Sequence, residues 1–324
     1  MNAIQLESTE GLDSLRLVEI EKPRPGNGEL LIQVKAAGIN FAELEMTRGK
    51  YPPPRPLPTV LGFEASGIVT EIGANVTAFK PGDKVVSLLT SGGFAEYATA
   101  NASMALPIPD GISFPEATAI TVQGLSAYTL LKFAARPQPE EIVLIQSAAG
   151  GVGLLLVQLA KIFGVKKVIA LASSKPKLDF VTSLGADVAV DYSQSDWPSR
   201  VLDATGGKGV DVVLECVSGD IGDQSFKLIA SFGRMIMYGA RNAHDHLPTE
   251  KVRQLIHKNQ SVIGFNFPSL LPEQIRSAVS PLLDIISKGK VKLFVNELFP
   301  LRDVRRAFEE ISARRTMGKV VLIP

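Results

Sequence analysis

Cysteine is nearly absent from this sequence: Cys216 stands alone among 324 residues. That excludes an intramolecular disulfide and a thiolate zinc cluster. Cys216 falls in the apolar run 212–217 and is expected to be a buried, inert thiol. Histidine is almost as scarce, with His244, His246 and His257 all late in the chain. No Ser–His–Asp or Cys–His arrangement is visible, so hydrolysis has little support, and the pair His244 and His246 reads as a solvated loop. Excess charge is lacking too. The formal net charge is +1, which gives no global field to hold a nucleic acid. No apolar stretch reaches the ~18–20 residues that span a bilayer, and residues 1–10 carry no basic-then-apolar secretory pattern. What is present, 45% hydrophobic and 21% charged residues, is ordinary for a globular chain. The expectation is a cytoplasmic enzyme or binding protein of two domains, at roughly 150 residues each.

The first 120 residues read as β-rich. Short alternating or apolar runs at 30–34, 67–72, 84–89 and 95–98 are separated by turn pairs such as Pro81-Gly82 and Gly92-Gly93. Residues 51–58 hold five prolines and suit neither a helix nor a central strand. From about residue 140 the rhythm changes. Apolar runs at 142–145, 168–171, 188–190, 212–214, 235–238 and 262–265 alternate with helix-length segments. Strands spaced by helices imply a parallel sheet covered on both faces, and six of them match the doubly wound dinucleotide-binding architecture. The helix after Gly151 is expected to bury one stripe of Val152, Leu155, Leu156, Leu159 and Phe163. The tail, with a helix near Pro272, helical spacing at Val304, Ala307, Phe308 and Ile311, and a strand-like run 319–323, reads as returning to complete the first domain.

The decisive local feature is Gln146-Ser147-Ala148-Ala149-Gly150-Gly151-Val152-Gly153, which follows one strand and opens a helix. A dinucleotide loop needs a tight turn, close backbone approach to the pyrophosphate and a close helix–strand contact. Here Ala148 stands at the first glycine position, followed by Gly150 and Gly153. The helix N-terminus offers unpaired N–H groups and a positive dipole end to the anion. About 20 residues further on, NAD sites place an acid against the ribose 2′-hydroxyl. This chain has Ala172-Ser173-Ser174-Lys175-Pro176-Lys177, with no acid until Asp179. Hydroxyl and ammonium groups suit a 2′-phosphate, a preference worth roughly 2–4 kcal/mol for NADPH. A solvated helix start that happens to be basic is the alternative.

Several motifs in order resemble the medium-chain dehydrogenase/reductase superfamily, specifically its zinc-free quinone oxidoreductase branch. They are Ala36-Ala37-Gly38-Ile39-Asn40, Arg48-Gly49-Lys50-Tyr51, Leu61-Gly62-Phe63-Glu64-Ala65-Ser66-Gly67, Pro81-Gly82-Asp83-Lys84-Val85, Gly92-Gly93-Phe94-Ala95-Glu96-Tyr97, the phosphate loop and Gly318-Lys319-Val320-Val321. The resemblance implies an α/β fold: a β-rich GroES-like catalytic domain at 1–121, completed by 266–324, and a Rossmann domain at 122–265. Zinc alcohol dehydrogenases place a cysteine ligand where this chain has Asn40 and a histidine where it has Phe63. Neither Asn40 nor Phe63 replaces such a ligand, and Glu64 survives without zinc-ligating companions.

A metal-free nicotinamide site delivers hydride to an acceptor that is already electron-poor, a quinone or another conjugated carbonyl. By resemblance, Asn40 lies near the nicotinamide and Tyr51 is the better donor to a developing oxyanion, the alternative being a packed turn aromatic. Thr121 and Gln123 are expected at the nicotinamide ribose or as helix caps. Ala149, Gly150, Gly151, Val152 and Gly153 hold the pyrophosphate, and Ser173, Ser174, Lys177 and Tyr192 the 2′-phosphate. Val217, Tyr238, Gly239 and Arg241 end later strands, where open sheets bind ligands. Phe265, Asn266 and Phe267 match the segment passing the nicotinamide, and Arg314 a late basic position. Alternatives are a 2-enoyl thioester reductase working through Tyr51, or a non-catalytic NADPH-binding protein. A homodimer paired through the edge run 262–267 is also implied.

Overall fold

A computed structural model describes residues 1–51, 56–239 and 249–324. The chain divides into two compact units: Met1–Gly124 with Ile285–Pro324, and Leu125–Asp284. The sequence puts these divisions at 121/122 and 265/266. The later crossing comes at 284/285 because helix Pro272–Ser287 gives most of its length to the second unit. Its Ala278 and Leu282 are buried, and the Ser277 carbonyl accepts from Lys132 Nζ at 3.1 Å.

The first unit is built on a seven-stranded sheet. Its path runs Val295–Pro300, Lys319–Ile323, Glu29–Ile39, Glu64–Ile72, Lys84–Leu88 and Ala105–Pro107, and Tyr97–Asn101 also pairs with Glu29–Ile39. The long strand Glu29–Ile39 is the organiser. It pairs with three partners along its length, and its buried residues face apolar neighbours on both sides. The tail strands Val295–Pro300 and Lys319–Ile323 are parallel and joined through helix Val304–Ser312, and the second of them lies antiparallel to residues 37–39. Phe308 of that helix packs on Phe94, ring centroids 6.3 Å apart. A second, three-stranded sheet forms from Leu15–Glu19, Asn2–Leu6 and Thr59–Val60.

The second unit carries a six-stranded parallel sheet in the order Val188–Asp191, Lys167–Ala172, Ile142–Ile145, Val210–Glu215, Ile229–Tyr238, Ser261–Phe265. Numbered from its first strand this is 3-2-1-4-5-6, the doubly wound order. Helix Gly151–Ile162 departs from the single stripe: every residue from Gly153 to Ala160 is buried. It packs on the sheet and also under helix Ser126–Thr129, so it has little solvent face. Among the described residues no helix is long and apolar enough to cross a membrane.

Candidate active site

In the second unit the phosphate loop is shaped by close contacts. Ser147 adopts a left-handed backbone, φ 46°, and the Ala148 N–H donates to Leu171 O at 2.9 Å. The Gly150 N–H donates to Ser147 O at 2.8 Å. Gly153 is pressed against this turn: a Cβ there would lie 2.3 Å from Ser147 O and 2.7 Å from Ala148 Cα. Only glycine lets the helix start so near the strand. The first-turn N–H groups of a helix lack carbonyl partners within it, and no side chain caps this one. Gly151, Val152 and Gly153 therefore present the amides of an anion cradle, with Ala149 buried beneath. The residues fit a dinucleotide pyrophosphate.

Strand Lys167–Ala172 ends on Ser173 and Ser174, and helix Lys175–Ser183 has no acid in its first turn. The Tyr192 N–H donates to Ala172 O at 3.1 Å, which brings Tyr192 beside Ser173. Lys177 is half-buried on the same helix turn. Asp179, the next acid along the helix, is taken by Lys175 Nζ at 2.8 Å, and Asp191, in register with Ala172 on the neighbouring strand, accepts from Ser193 N and Oγ at 2.9 and 2.7 Å. Ser173, Ser174 and Tyr192 thus stand at adjacent strand ends, with Lys177 in the first turn of the helix that follows and no acid in that turn.

Gln146, the residue before the loop, braces it to the neighbouring strand end. It is fully buried. Its Oε1 accepts from Val217 N at 3.1 Å and Cys216 N at 3.3 Å, while its Nε2 donates to Glu215 and, at 2.8 Å, to Ser225 Oγ. Glu215 in turn accepts from the N–H of Val217 and Ser218 at 2.8 and 2.6 Å. Tyr238 closes this group. Burial, then Cys216 and Glu215, hold its phenol well above its ordinary pKa. Contrary to the sequence expectation, Cys216 is only half-buried, because the strand stops at Glu215 and the thiol sits on the open carboxyl end of the sheet.

The first unit holds a denser arrangement. Glu64 is completely buried, and its two oxygens take four donors. Oε1 accepts from Lys319 Nζ and from Asn40 Nδ2 at 2.9 Å; Oε2 accepts from Thr121 Oγ1 and from Val122 N at 2.9 Å. Residues Ile120–Leu125 wind as a π-helical turn, with the Gly124 N–H reaching back to Ala119 O. This widened turn aims the Val122 N–H at the carboxylate. Lys319 is also without exposed surface. Its three protons go to Glu64, to Asn40 Oδ1 at 2.8 Å and to Ile39 O at 3.1 Å, which exhausts an ammonium. Gly38 makes the room, since a Cβ there would meet Lys319 Cε at 2.3 Å. Beside the pair, Glu43 accepts from Asn40 N at 2.8 Å and Phe63 N at 3.0 Å. Burial pushes its carboxyl up to about 7, against the pull of Lys319 and the Phe63 N–H. Tyr51 and Phe63, both half-buried, pair at 5.7 Å between ring centroids.

Comparison with known proteins agrees with both halves. Residues 26–110 match the family model "Alcohol dehydrogenase GroES-like domain" and residues 151–287 the model "Zinc-binding dehydrogenase". The quinone oxidoreductase of Salmonella typhimurium is 33% identical over 329 residues, covering 99% of each chain. The chain belongs to the quinone oxidoreductase branch of the medium-chain dehydrogenase/reductase superfamily. It is an oxidoreductase. The structure of Escherichia coli quinone oxidoreductase complexed with NADPH superposes with a TM-score of 0.91 at 32% identity, covering 100% of both chains. CurK enoyl reductase gives 0.89 at 27% identity, over 99% of this chain and 98% of that one.

Some members of this superfamily hold catalytic zinc, and the donor set here does not suit it. Asn40 and Phe63 supply neither thiolate nor imidazole, and Glu64 already shares its oxygens with an ammonium. A dication here would face Lys319 at contact distance, and the residues do not fit one. Among the described residues no cluster of three or more His, Cys, Asp or Glu converges; His257 is exposed, while His244 and His246 lie outside the described residues.

The other expected positions separate by unit. Val217, Tyr238, Gly239 and Phe265 stand at carboxyl ends of adjacent strands, with Tyr238 in register with Phe265. Phe267 begins a short 3₁₀ turn, and the exposed Asn266 spends its amide on Ser269 Oγ at 2.7 Å. Arg241 lies outside the described residues. In the first unit Asn40 and Thr121 both bond to Glu64, the Thr121 hydroxyl spent there rather than on a helix cap, while Tyr51 packs on the neighbouring Phe63. Arg314 lies on an exposed turn after helix Val304–Ser312, φ 57°. Gln123 is buried. Sequence reasoning missed Lys319, Glu43, Gln146 and Glu215 as site residues. The available signal was a charged or amide side chain inside an apolar run, which needs a partner to be buried.

Proposed function

We propose that this enzyme is an NADPH-dependent, zinc-independent reductase of quinones and related conjugated carbonyls. The observation that supports the reading is the buried Glu64–Lys319 pair with Asn40, in which an ammonium neutralises the carboxylate and an amide bonds to it, neither of them a zinc ligand. Without a Lewis acid, the acceptor must spread incoming negative charge by its own conjugation. A nicotinamide dinucleotide held by the second unit supplies the hydride. Gly151–Gly153 bind its pyrophosphate, and Ser173, Ser174, Lys177 and Tyr192 select the 2′-phosphate. Asn40 and Tyr51 orient the acceptor oxygen and donate to it as charge develops, which is where preorganised donors lower a barrier. The exposed edge strand Ser261–Phe265 supports a homodimer, and the cytoplasm is the proposed site of action.

The test is an anaerobic acceptor panel with NADPH. Turnover of 1,2-naphthoquinone, none of simple alcohols with NADP⁺, and full activity after chelation are expected. A stoichiometric metal needed for turnover overturns the reading. The likeness to CurK enoyl reductase, together with the Tyr51 phenol, favours a 2-enoyl thioester as the second reading; crotonyl-CoA outpacing the quinone would establish it.

A further inference from the structure

We infer that Lys319 is a positioning residue for the acceptor: its buried ammonium fixes and polarises the Asn40 amide, and Asn40 carries that charge outward as a strengthened Nδ2–H donor. The inference rests on the proposed placement of Asn40 at the acceptor. An ammonium has only donors, so the Asn40 atom 2.8 Å from Lys319 Nζ is the oxygen, and the nitrogen then faces Glu64 at 2.9 Å. An asparagine amide ordinarily has two flips of similar energy; here it has one. One Nδ2–H stays uncommitted to Glu64. Of the five members of the cluster, Glu43, Glu64, Thr121 and Lys319 have no exposed surface, and Asn40 alone keeps 8%. Any influence of the buried charge on a bound molecule therefore leaves through Asn40.

Linked hydrogen bonds polarise one another, more so at low dielectric. A cation pulling on Oδ1 draws density from the amide nitrogen and makes its remaining N–H the better donor. When hydride passes, NADPH is oxidised to NADP⁺, the acceptor gains two electrons, and its oxygen stays anionic until water or Tyr51 delivers a proton. A stronger donor helps most where the acceptor stabilises that anion least.

This separates positioning from simple support of the fold. Lys319→Met alone leaves Glu64 buried and unpaired, so the informative protein is Lys319→Met/Glu64→Gln, which removes both charges at similar volume; circular dichroism and thermal melting report that it folds. Across a series of 1,4-benzoquinones of graded reduction potential, kcat of the double variant is expected to fall about 10-fold or more on the weakest acceptor and under about 2-fold on the strongest, with the Kd for NADPH unchanged. A uniform loss across the series, or none, overturns the inference. Independently of activity, the Asn40 side-chain amide of ¹⁵N-asparagine-labelled protein, assigned by its disappearance in Asn40→Ala, is expected to exchange slowly in the parent and fast in the double variant. Equal exchange in both overturns the Lys319–Asn40 link. A parent protein that reduces no acceptor with NADPH overturns the proposed function and the catalytic half of this inference, while the exchange measurement still decides the link itself.

Discussion

Glu64 and Lys319 lie 255 positions apart in the chain and meet as an ion pair with no exposed surface on either side chain. Such a pair is weak evidence for stability in itself, because dehydrating both charges offsets their attraction, but disturbing one partner costs about 3–5 kcal/mol. Gly38 leaves the space in which they meet. Gly38→Ala is expected to lower stability by about 2–4 kcal/mol, seen as a lower urea midpoint. An unchanged midpoint would show that the strand gives way without disturbing the pair.

Glu43 makes stability depend on pH in a direction opposite to most carboxylates. Its folded pKa is raised to about 7 from 4.5, so the folded protein keeps a proton that the unfolded chain releases. That stabilising contribution is complete below about pH 4.5 and is lost as pH rises through about 7, a decline of about 3 kcal/mol from this group. Glu43→Gln is expected to flatten the slope of unfolding free energy between pH 5 and 8. Identical slopes for parent and variant would refute the assignment.

Lys177 and the two serines should read the 2′-phosphate. Lys177→Ala is expected to raise the KM for NADPH about 10- to 100-fold and to leave the KM for NADH within about 2-fold. A parent enzyme that uses NADH as well as NADPH would reject the phosphate site.

Tyr51 pairs with Phe63 through its ring, so Tyr51→Phe keeps the packing and removes only the hydroxyl. A fall in kcat of roughly 10²-fold indicates proton donation. A change confined to the acceptor KM indicates binding alone.

Among the described residues the outer strand Ser261–Phe265 has one neighbour, Ile229–Tyr238. Val262→Glu is expected to convert a dimer to a monomer on sizing chromatography. Persistence of the dimer would move the interface elsewhere.

The six parallel strands and the phosphate loop were legible because both signals are local: apolar runs of strand length, and glycines fixed by the contacts of Gly153. The N-terminal strands Asn2–Leu6 and Leu15–Glu19 were not, since they pair with each other across a turn that carries no hairpin signature, and Asn2–Leu6 takes its other neighbour, Thr59–Val60, from far along the chain. Strand Glu29–Ile39 outruns the expected 30–34 because residues 37–39 are held by a partner from the far end of the chain. In the sequence Lys319 reads only as part of a terminal motif. Its meaning depends on Glu64 and Asn40, and no local spacing links the three. Cys216 differs from its expectation for the converse reason: an apolar run suggests burial, but where the run leaves the sheet is set by the length of neighbouring strands.

The seating of Lys319 also orders events during synthesis. Until residues 295–323 emerge, the seven-stranded sheet of the first unit lacks two of its strands, and the Glu64 carboxylate lacks the ammonium of Lys319 to accompany it out of water. The second unit, contiguous in sequence, has by then all its strands available. Its sheet can therefore form before that of the first unit is complete, which keeps an open edge until strand Lys319–Ile323 arrives.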